Sequence, residues 1–316
     1  MVLVNTLIPI FVLIGLGLFT RHIKLFDSQS IQVFNPFILY ICLPPLFFWS
    51  TASVALTEIL NFRFIAITLV ASLLSGALVW WLAKRFWNIQ HPADRMLLSL
   101  SGLNPNTIYM GVPLFTLLYG SHGTLPVIVS SLTFNILFMG LGMALLDHLT
   151  QPEPTRLRTL LVRLFVKNPL FMPPLLGMLW SACGLPKPEA LSGLMTLLAQ
   201  ATAPVALFTM GLSLYGQSVR GQLKPILLIS SIKLLVHPLL ALVLASLIWP
   251  LPRLWMEGVV LASALPAAAM VSVFALKYER QVSVVSSVIV ISTLVSLLTL
   301  SGWMLILPYL PAAQAH

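Results

Sequence analysis

Along the whole chain, long apolar runs alternate with short polar connections, and each run is near the ~20 residues a helix needs to cross a bilayer. Ten such runs can be marked: Val4–Thr20, Ile31–Ala52, Phe64–Ala83, Met96–Tyr119, Leu125–Leu146, Pro169–Gly184, Leu191–Gly216, Pro225–Trp249, Trp255–Leu276 and Val282–Leu307. Runs such as Val4–Thr20 and Phe64–Ala83 lack a polar face, which excludes the surface helices of a soluble protein. The pattern predicts an all-α integral membrane protein of ten spans. One stretch is out of character: inside the fourth run, Leu103 to Pro113 carries Pro105, Pro113, Asn104, Asn106 and Gly111. Each proline removes a backbone donor and crowds the carbonyl one turn earlier, so the helix is expected to break. In a bilayer such a break is tolerated only where protein buries it or a wet cavity meets it.

Composition agrees with this reading. Hydrophobic residues make up 59% of the chain and charged residues only 8%, against about 25% charged in soluble domains. The net charge of +9 would suggest nucleic acid in a soluble chain, but in a membrane protein Lys and Arg first report orientation. No basic, aromatic-interleaved groove is visible, so a nucleic-acid partner is not expected. Cys42 and Cys183 sit in apolar runs, which argues against a disulfide framework or thiolate metal site. The first span has no basic segment before it and no small-residue cleavage site after it, and is expected to be a retained helix.

The basic residues sort by side. Connections after odd-numbered spans hold Arg21, Lys24, Lys84, Arg85, Arg95, Arg156, Arg158, Arg163, Lys167, Arg220, Lys224, Lys277 and Arg280, while those after even-numbered spans hold Arg63, Lys187 and Arg253. The positive-inside rule then puts the odd connections in the cytoplasm and both termini outside, in the plasma (inner) membrane of a cell. The longest connection, 151–168, separates five spans (1–150) from five more (169–316), and five being odd, the halves are expected to be inverted repeats. Their punctuation corresponds: Leu43-Pro44-Pro45 in span 2 with Ala203-Pro204 in span 7, and Pro105 in span 4 with Ala264-Leu265-Pro266-Ala267-Ala268 in span 9. Interrupted helices at matching positions of two halves point to a secondary-transporter binding site.

At these residues the chain resembles the auxin efflux carrier family, which includes plant PIN-FORMED carriers and bacterial organic-acid permeases. The resemblance is carried by Pro105-Asn106-Thr107 with Met110-Gly111-Val112-Pro113-Leu114, by Ala203-Pro204 with Phe208-Thr209-Met210-Gly211, and by Ala264-Leu265-Pro266 with Val273-Phe274-Ala275 and Tyr278. Phe34-Asn35 with Leu43-Pro44, and Lys167-Asn168-Pro169, extend it over nearly the whole chain. It implies ten spans in two inverted repeats, with broken spans 4 and 9 crossing near the midplane. It also implies a dimerising scaffold of spans 1, 2, 6 and 7, a transport domain of spans 3–5 and 8–10, and elevator-like movement of a small organic anion. One departure is that the plant carriers have a second proline in span 9 where this chain reads Ala267-Ala268-Ala269, which leaves the break point there open. The long cytoplasmic loop of many plant carriers is also absent.

The candidate substrate-binding set is Asn104, Asn106, Thr107, Met110, Pro113, Thr209, Lys233, Ser263, Pro266, Ala267 and Ala268. Asn106, Met110 and Pro113 fall at i, i+4 and i+7 and are expected to share one helix face. Asparagine offers donors and an acceptor without a buried charge, and free N–H groups at a half-helix start attract carboxylates. The acidic residues Asp27, Glu58, Asp94, Asp147, Glu153, Glu189, Glu257 and Glu279 all fall in connections or at span ends, which disfavours a carboxylate cation site and leaves a carbonyl-only sodium site open. Lys233 has two readings: a functional charge facing the broken spans, or a long stem reaching the cytoplasmic surface. His237, one turn on, is expected to be a hydrogen-bonded packing residue, the alternative being a proton-sensitive role, and Tyr109 to pack, the alternative being an aromatic wall for the apolar part of a substrate. Thr202, Thr209 and Ser263 can equally contact substrate or satisfy backbone, and Gly211 suits close helix approach.

No cofactor or metal is called for, and no enzyme motif such as His-Glu-x-x-His or Gly-x-Ser-x-Gly is present. A channel fits the inverted repeat less well than alternating access does. A ligand-binding membrane sensor on the same fold is the alternative to a carrier. Dicarboxylates, monocarboxylates and indole-like acids all suit the site, in either direction of transport.

Overall fold

A computed structural model describes residues 2–55, 59–120, 122–134, 141–150, 170–186, 188–217 and 222–310. The basic connection 151–168 lies outside the described residues, with Arg156, Arg158, Arg163, Lys167 and the Asn168-Pro169 pair. So do Glu58, Lys187 and Arg220.

The described residues form helices: α1 (Val2–His22), α2 (Ser28–Ala52), α3 (Phe62–Arg85), α4 (Pro92–Leu103), α5 (Thr107–Tyr119), α6 (Leu125–Thr133), α7 (Gly142–Thr150), α8 (Met172–Ala182), α9 (Glu189–Leu214), α10 (Leu223–Ile248), α11 (Arg253–Ala264), α12 (Met270–Lys277) and α13 (Val282–Ile306). An isolated antiparallel bridge joins Pro105 and Ala267. Segments Ser28–Ala52, Phe62–Arg85, Leu191–Leu214, Leu223–Ile248 and Val282–Tyr309 are long and apolar enough to cross a membrane, and Thr6–His22 and Thr107–Tyr119 are shorter apolar helices. This is a multi-pass membrane protein.

Local chemistry starts the helices. Asp27 caps α2 reciprocally: its carboxylate accepts from the Ser30 amide at 2.9 Å, and the Asp27 amide donates to the Ser30 hydroxyl at 3.2 Å. The Ser30 amide and then the Ser30 hydroxyl, both donating to it, hold the exposed Asp27 carboxyl below the usual carboxylate range. At α4, His91 Nδ1 accepts from the Ala93 amide and Pro92 takes the first turn, where its missing donor costs nothing.

Several prolines fail to break helices. The runs around Pro44-Pro45 and Pro204, read from sequence as interruptions, lie inside α2 and α9, which pass through them. In α2, α5 and α10, wide π-helical turns at Phe37–Cys42, Thr107–Gly111 and Ile232–Val236 end two residues before Pro44, Pro113 and Pro238. There the Leu43 amide donates back five residues to Ile38, and the His237 amide to Ile232. A widened turn gives the proline ring the room that an α-turn denies it.

The chain divides into two compact units. The first comprises Met1–Asn61, Ile108–Leu132 and Leu161–Gly216; the second comprises Phe62–Thr107, Thr133–Leu160 and Gln217–His316. In the first, α1 packs on α9 through facing glycines: a Cβ on Gly17 would lie 2.2 Å from the Phe208 carbonyl oxygen, and one on Gly211 would lie 2.1 Å from that of Ile14. Gly177 of α8 likewise fits against Thr51 and the Phe48 carbonyl of α2. Small residues let backbones approach where no hydrophobic force pulls membrane helices together. Phe26, Phe34 and Phe208 add an edge-to-face cluster with centroids 5.3–5.9 Å apart.

In the second unit α3 packs on α4, with Gly76 against Leu103, Gly102 against Val79, and the Ser75 hydroxyl donating to the Gly102 carbonyl at 2.9 Å. Packed against α10 are α3, α11 and α13. Arg253 closes the start of α11 onto Glu257 and the carbonyls of Leu307 and Leu310. Asp147 of α7 is buried and bound by Lys277 at 3.1 Å and by the Tyr278 hydroxyl at 2.6 Å. Asp94 pairs with Arg280 at 3.0 Å.

Candidate functional site

The site lies in the second unit, where two helices stop. α4 ends at Leu103 and the chain runs extended through Asn104 before α5 starts at Thr107. α11 ends at Ala264 and Leu265 turns extended before α12 starts at Met270. The break in the ninth run therefore contains Pro266, although no second proline follows.

Two extended segments side by side can satisfy the backbone that each break orphans, and they do. The Asn106 amide donates to the Pro266 carbonyl at 2.9 Å, and the Ala268 amide donates to the Asn104 carbonyl at 2.9 Å. Neither proline needs to donate, because Pro105 and Pro266 sit at positions where only their carbonyls or neighbours bond. The Ala267 amide is taken up by the Ser292 hydroxyl of α13 at 3.1 Å. Asn104, Asn106, Thr107, Ser263, Pro266, Ala267 and Ala268 are all buried here.

This geometry corrects one expectation. Asn106 does not share a helix face with Met110 and Pro113, because it lies in the extended segment before α5 begins. Pro113 does not break the helix either, since the π-turn ahead of it absorbs the ring. Met110 and Pro113 belong to the first unit and are buried there. Thr209 is in the first unit too, buried on α9, and donates its hydroxyl to its own helix at Val205 O, 2.7 Å away. Tyr109 donates to Asn35 Oδ1 at 3.1 Å, an anchoring contact within the first unit.

Lys233 does not reach the surface. It is 0% exposed, and Nζ donates to the Ser263 carbonyl at 2.5 Å, within the last turn of α11. Carbonyls there lack intrahelical partners and carry the negative end of the helix dipole, so a cation is favoured. Nζ also lies 3.2 Å from His237 Nδ1, and His237 Nε2 lies 3.1 Å from Ser72 Oγ. Ser72 is 2.6 Å from the Thr68 carbonyl. His237 is thus a buried, hydrogen-bonded residue whose partners are Lys233 and Ser72.

Sequence reading missed Ser72 and Ser292. A signal for the first was present: Thr68, Ser72 and Ser75 fall at i, i+4 and i+7, a polar stripe on otherwise apolar α3. Also missed was a cavity of about 400 Å³ inside the first unit, lined by Trp49, Ser50, Ser53, Thr116, Thr196 and Gln200 among others.

On the electrostatic side, α12 begins at the break with the amides of Ala269 and Met270, which have no acceptor among the described residues. A half-helix start of this kind, near a buried ammonium, is chemistry for an anion.

Comparison with known proteins gives the same class. A family model described as "Membrane transport protein" matches residues 2–304. A protein of Methanothermobacter thermautotrophicus named "Uncharacterized transporter" is 26% identical over 96% of this chain and 98% of its own length. One of Rhizobium meliloti named "Putative malonate transporter" is 27% identical over 93% of this chain and 92% of its own. An uncharacterized transporter of Escherichia coli strain K12 is 25% identical over 84% and 85%.

Proposed function

The chain belongs to the membrane transport protein family that includes the auxin efflux carriers, and from that premise we propose that it is a secondary carrier of a small organic anion. The observation that carries this reading is the mutual pairing of the two helix breaks through Asn106–Pro266 and Ala268–Asn104, with Lys233 on the adjacent half-helix end. The pairing keeps irregular backbone inside the protein, which is how broken helices persist at a transport site. The relative named for malonate makes a short dicarboxylate the first substrate to try.

In this proposal Asn104, Asn106, Thr107, Ser263, Pro266, Ala267 and Ala268 surround the substrate, with Lys233 as its counter-charge. Met110, Pro113 and Thr209, expected from the sequence at the site, belong to the first unit. Ten spans in inverted repeats, a scaffold of spans 1, 2, 6 and 7 that dimerises and elevator-type motion are what the family resemblance implies, and an inner-membrane setting with both ends outside is what the basic residues imply. They are supported by the motifs and by the sorting of the basic residues.

The test is flux of labelled malonate, succinate and lactate into proteoliposomes holding the purified chain. Saturable entry competed by excess unlabelled anion supports a carrier. Binding without flux supports a sensor, and neither binding nor flux with any of the three sinks the anion reading.

A further inference from the structure

We propose that Lys233 and His237 form a proton-carrying pair, so that one proton binds with each substrate anion and crosses with it. The proposal rests on the anion-carrier reading and adds the coupling ion to it.

The amine is buried at 0% exposure in an apolar span, and its hydrogen-bond partners among the described residues are the Ser263 carbonyl and His237 Nδ1. An ammonium has three hydrogens, so two acceptors leave one unmatched. Among the described residues of the helices packed around it, the other charged groups are paired or lie at helix ends. On α3, Arg63, Lys84 and Arg85 lie at the two ends. On α4, Asp94 is bound to Arg280 and Arg95 stacks on Trp80. On α11, Glu257 is bound by Arg253. Helix α13 has no titratable residue, and α10 itself offers Lys224 in its first turn and His237. A buried ammonium that meets only neutral acceptors is still costly unless an anion faces it. A carrier that returns empty through the membrane meets that cost whenever its substrate is absent.

The hydrogen-bond network accommodates both forms. With Lys233 protonated, Nζ donates to His237 Nδ1, His237 Nε2–H donates to Ser72 Oγ, and Ser72 donates to the Thr68 carbonyl. With Lys233 neutral, the imidazole takes its other tautomer: Nδ1–H donates to the amine lone pair, and Ser72 donates to Nε2. Every ring nitrogen keeps a partner in both. On loading, hydronium gives its proton to Nζ; an N–H bond forms, an O–H bond breaks and water is left. Unloading on the other side reverses the step as the anion departs. The pair at the α11 end therefore supplies the countercharge for the anion.

The test is calorimetric titration of the purified full chain with malonate, and with succinate and lactate in parallel, in buffers of different ionisation enthalpy. The slope of observed heat against buffer enthalpy counts protons, and uptake of about one per anion is expected on the alkaline side, where affinity falls about tenfold per pH unit. Lys233→Arg, whose charge is permanent, should bind the anion with no proton uptake. A zero slope with clear wild-type binding overturns the coupling and leaves the carrier reading standing, as does unchanged uptake in Lys233→Arg. Binding of none of the three anions overturns the carrier reading first. The wild-type slope decides even if the arginine variant does not fold.

Discussion

The indole Nε1–H of Trp303 donates to the carbonyl of Leu234 at 3.0 Å, and Leu234 stands four residues before Pro238. In an uninterrupted helix that carbonyl would accept from residue 238, which as proline has no hydrogen to give. A side chain 69 positions away takes the place of the missing donor, and this keeps α10 continuous through the turn that carries Lys233.

Trp303→Phe therefore keeps most of the packing and removes one donor. Expected is a loss of about 1–2 kcal/mol, the range for stranding a buried carbonyl, seen as a lower midpoint of thermal unfolding in detergent. An unchanged midpoint would mean that the widened turn satisfies Leu234 unaided.

Asn106→Ala separates fold from site. The bond to Pro266 is made by the main chain and survives the change, so the break stays closed while malonate flux in proteoliposomes falls at least about tenfold, the effect of losing one or two good hydrogen bonds to a ligand. Normal binding and flux would remove Asn106 from the site.

Gly17 and Gly15 form a matched pair on α1. An added methyl at Gly17 meets the Phe208 backbone at 2.2 Å, which only separation of α1 from α9 relieves, whereas at Gly15 nothing lies within 4 Å. Gly17→Ala should destabilise by about 1–3 kcal/mol, as overpacking does. Gly15→Ala should be neutral or stabilise by up to about 1 kcal/mol through helix propensity. The midpoints of the two variants check both at once.

Tyr278 reports through pH. Burial first, then its hydrogen bond to the Asp147 carboxylate, raises the phenol above its ordinary value. A raised acid contributes stability that is whole below the unfolded value near 10 and is lost as pH climbs from there toward the folded value. Chemical-denaturation midpoints should fall above pH 10 in the wild type and fall less steeply in Tyr278→Phe. Parallel curves would show that the phenol does not contribute.

What could be read from residues alone follows from local physics. Apolar runs of bilayer length must be helices, because backbone polar groups have no water to turn to. The break at Pro105 was legible because polar residues flank that proline, whereas the break point of the ninth run stayed open until the extended Leu265 and the pairing of Pro266 and Ala268 located it. Pro44, Pro113 and Pro204 misled for the converse reason. A missing N–H is written in the sequence, but the fate of the carbonyl it abandons depends on whether a turn widens or a distant donor such as Trp303 arrives.

The stretch from Leu103 to Pro113 shows the division most clearly. Its composition by itself determined that the fourth run could not be one helix and that Asn104 and Asn106 would sit at an interruption. Only the tertiary structure decided that the break closes on Leu265–Ala268, that Asn106 leaves the helix face of Met110, and that Lys233 turns inward to Ser263 and His237. A backbone hydrogen bond between residues 160 positions apart, or the direction taken by a flexible lysine stem, has no local signature, because its free energy is set by which partners the assembled helices bring within reach.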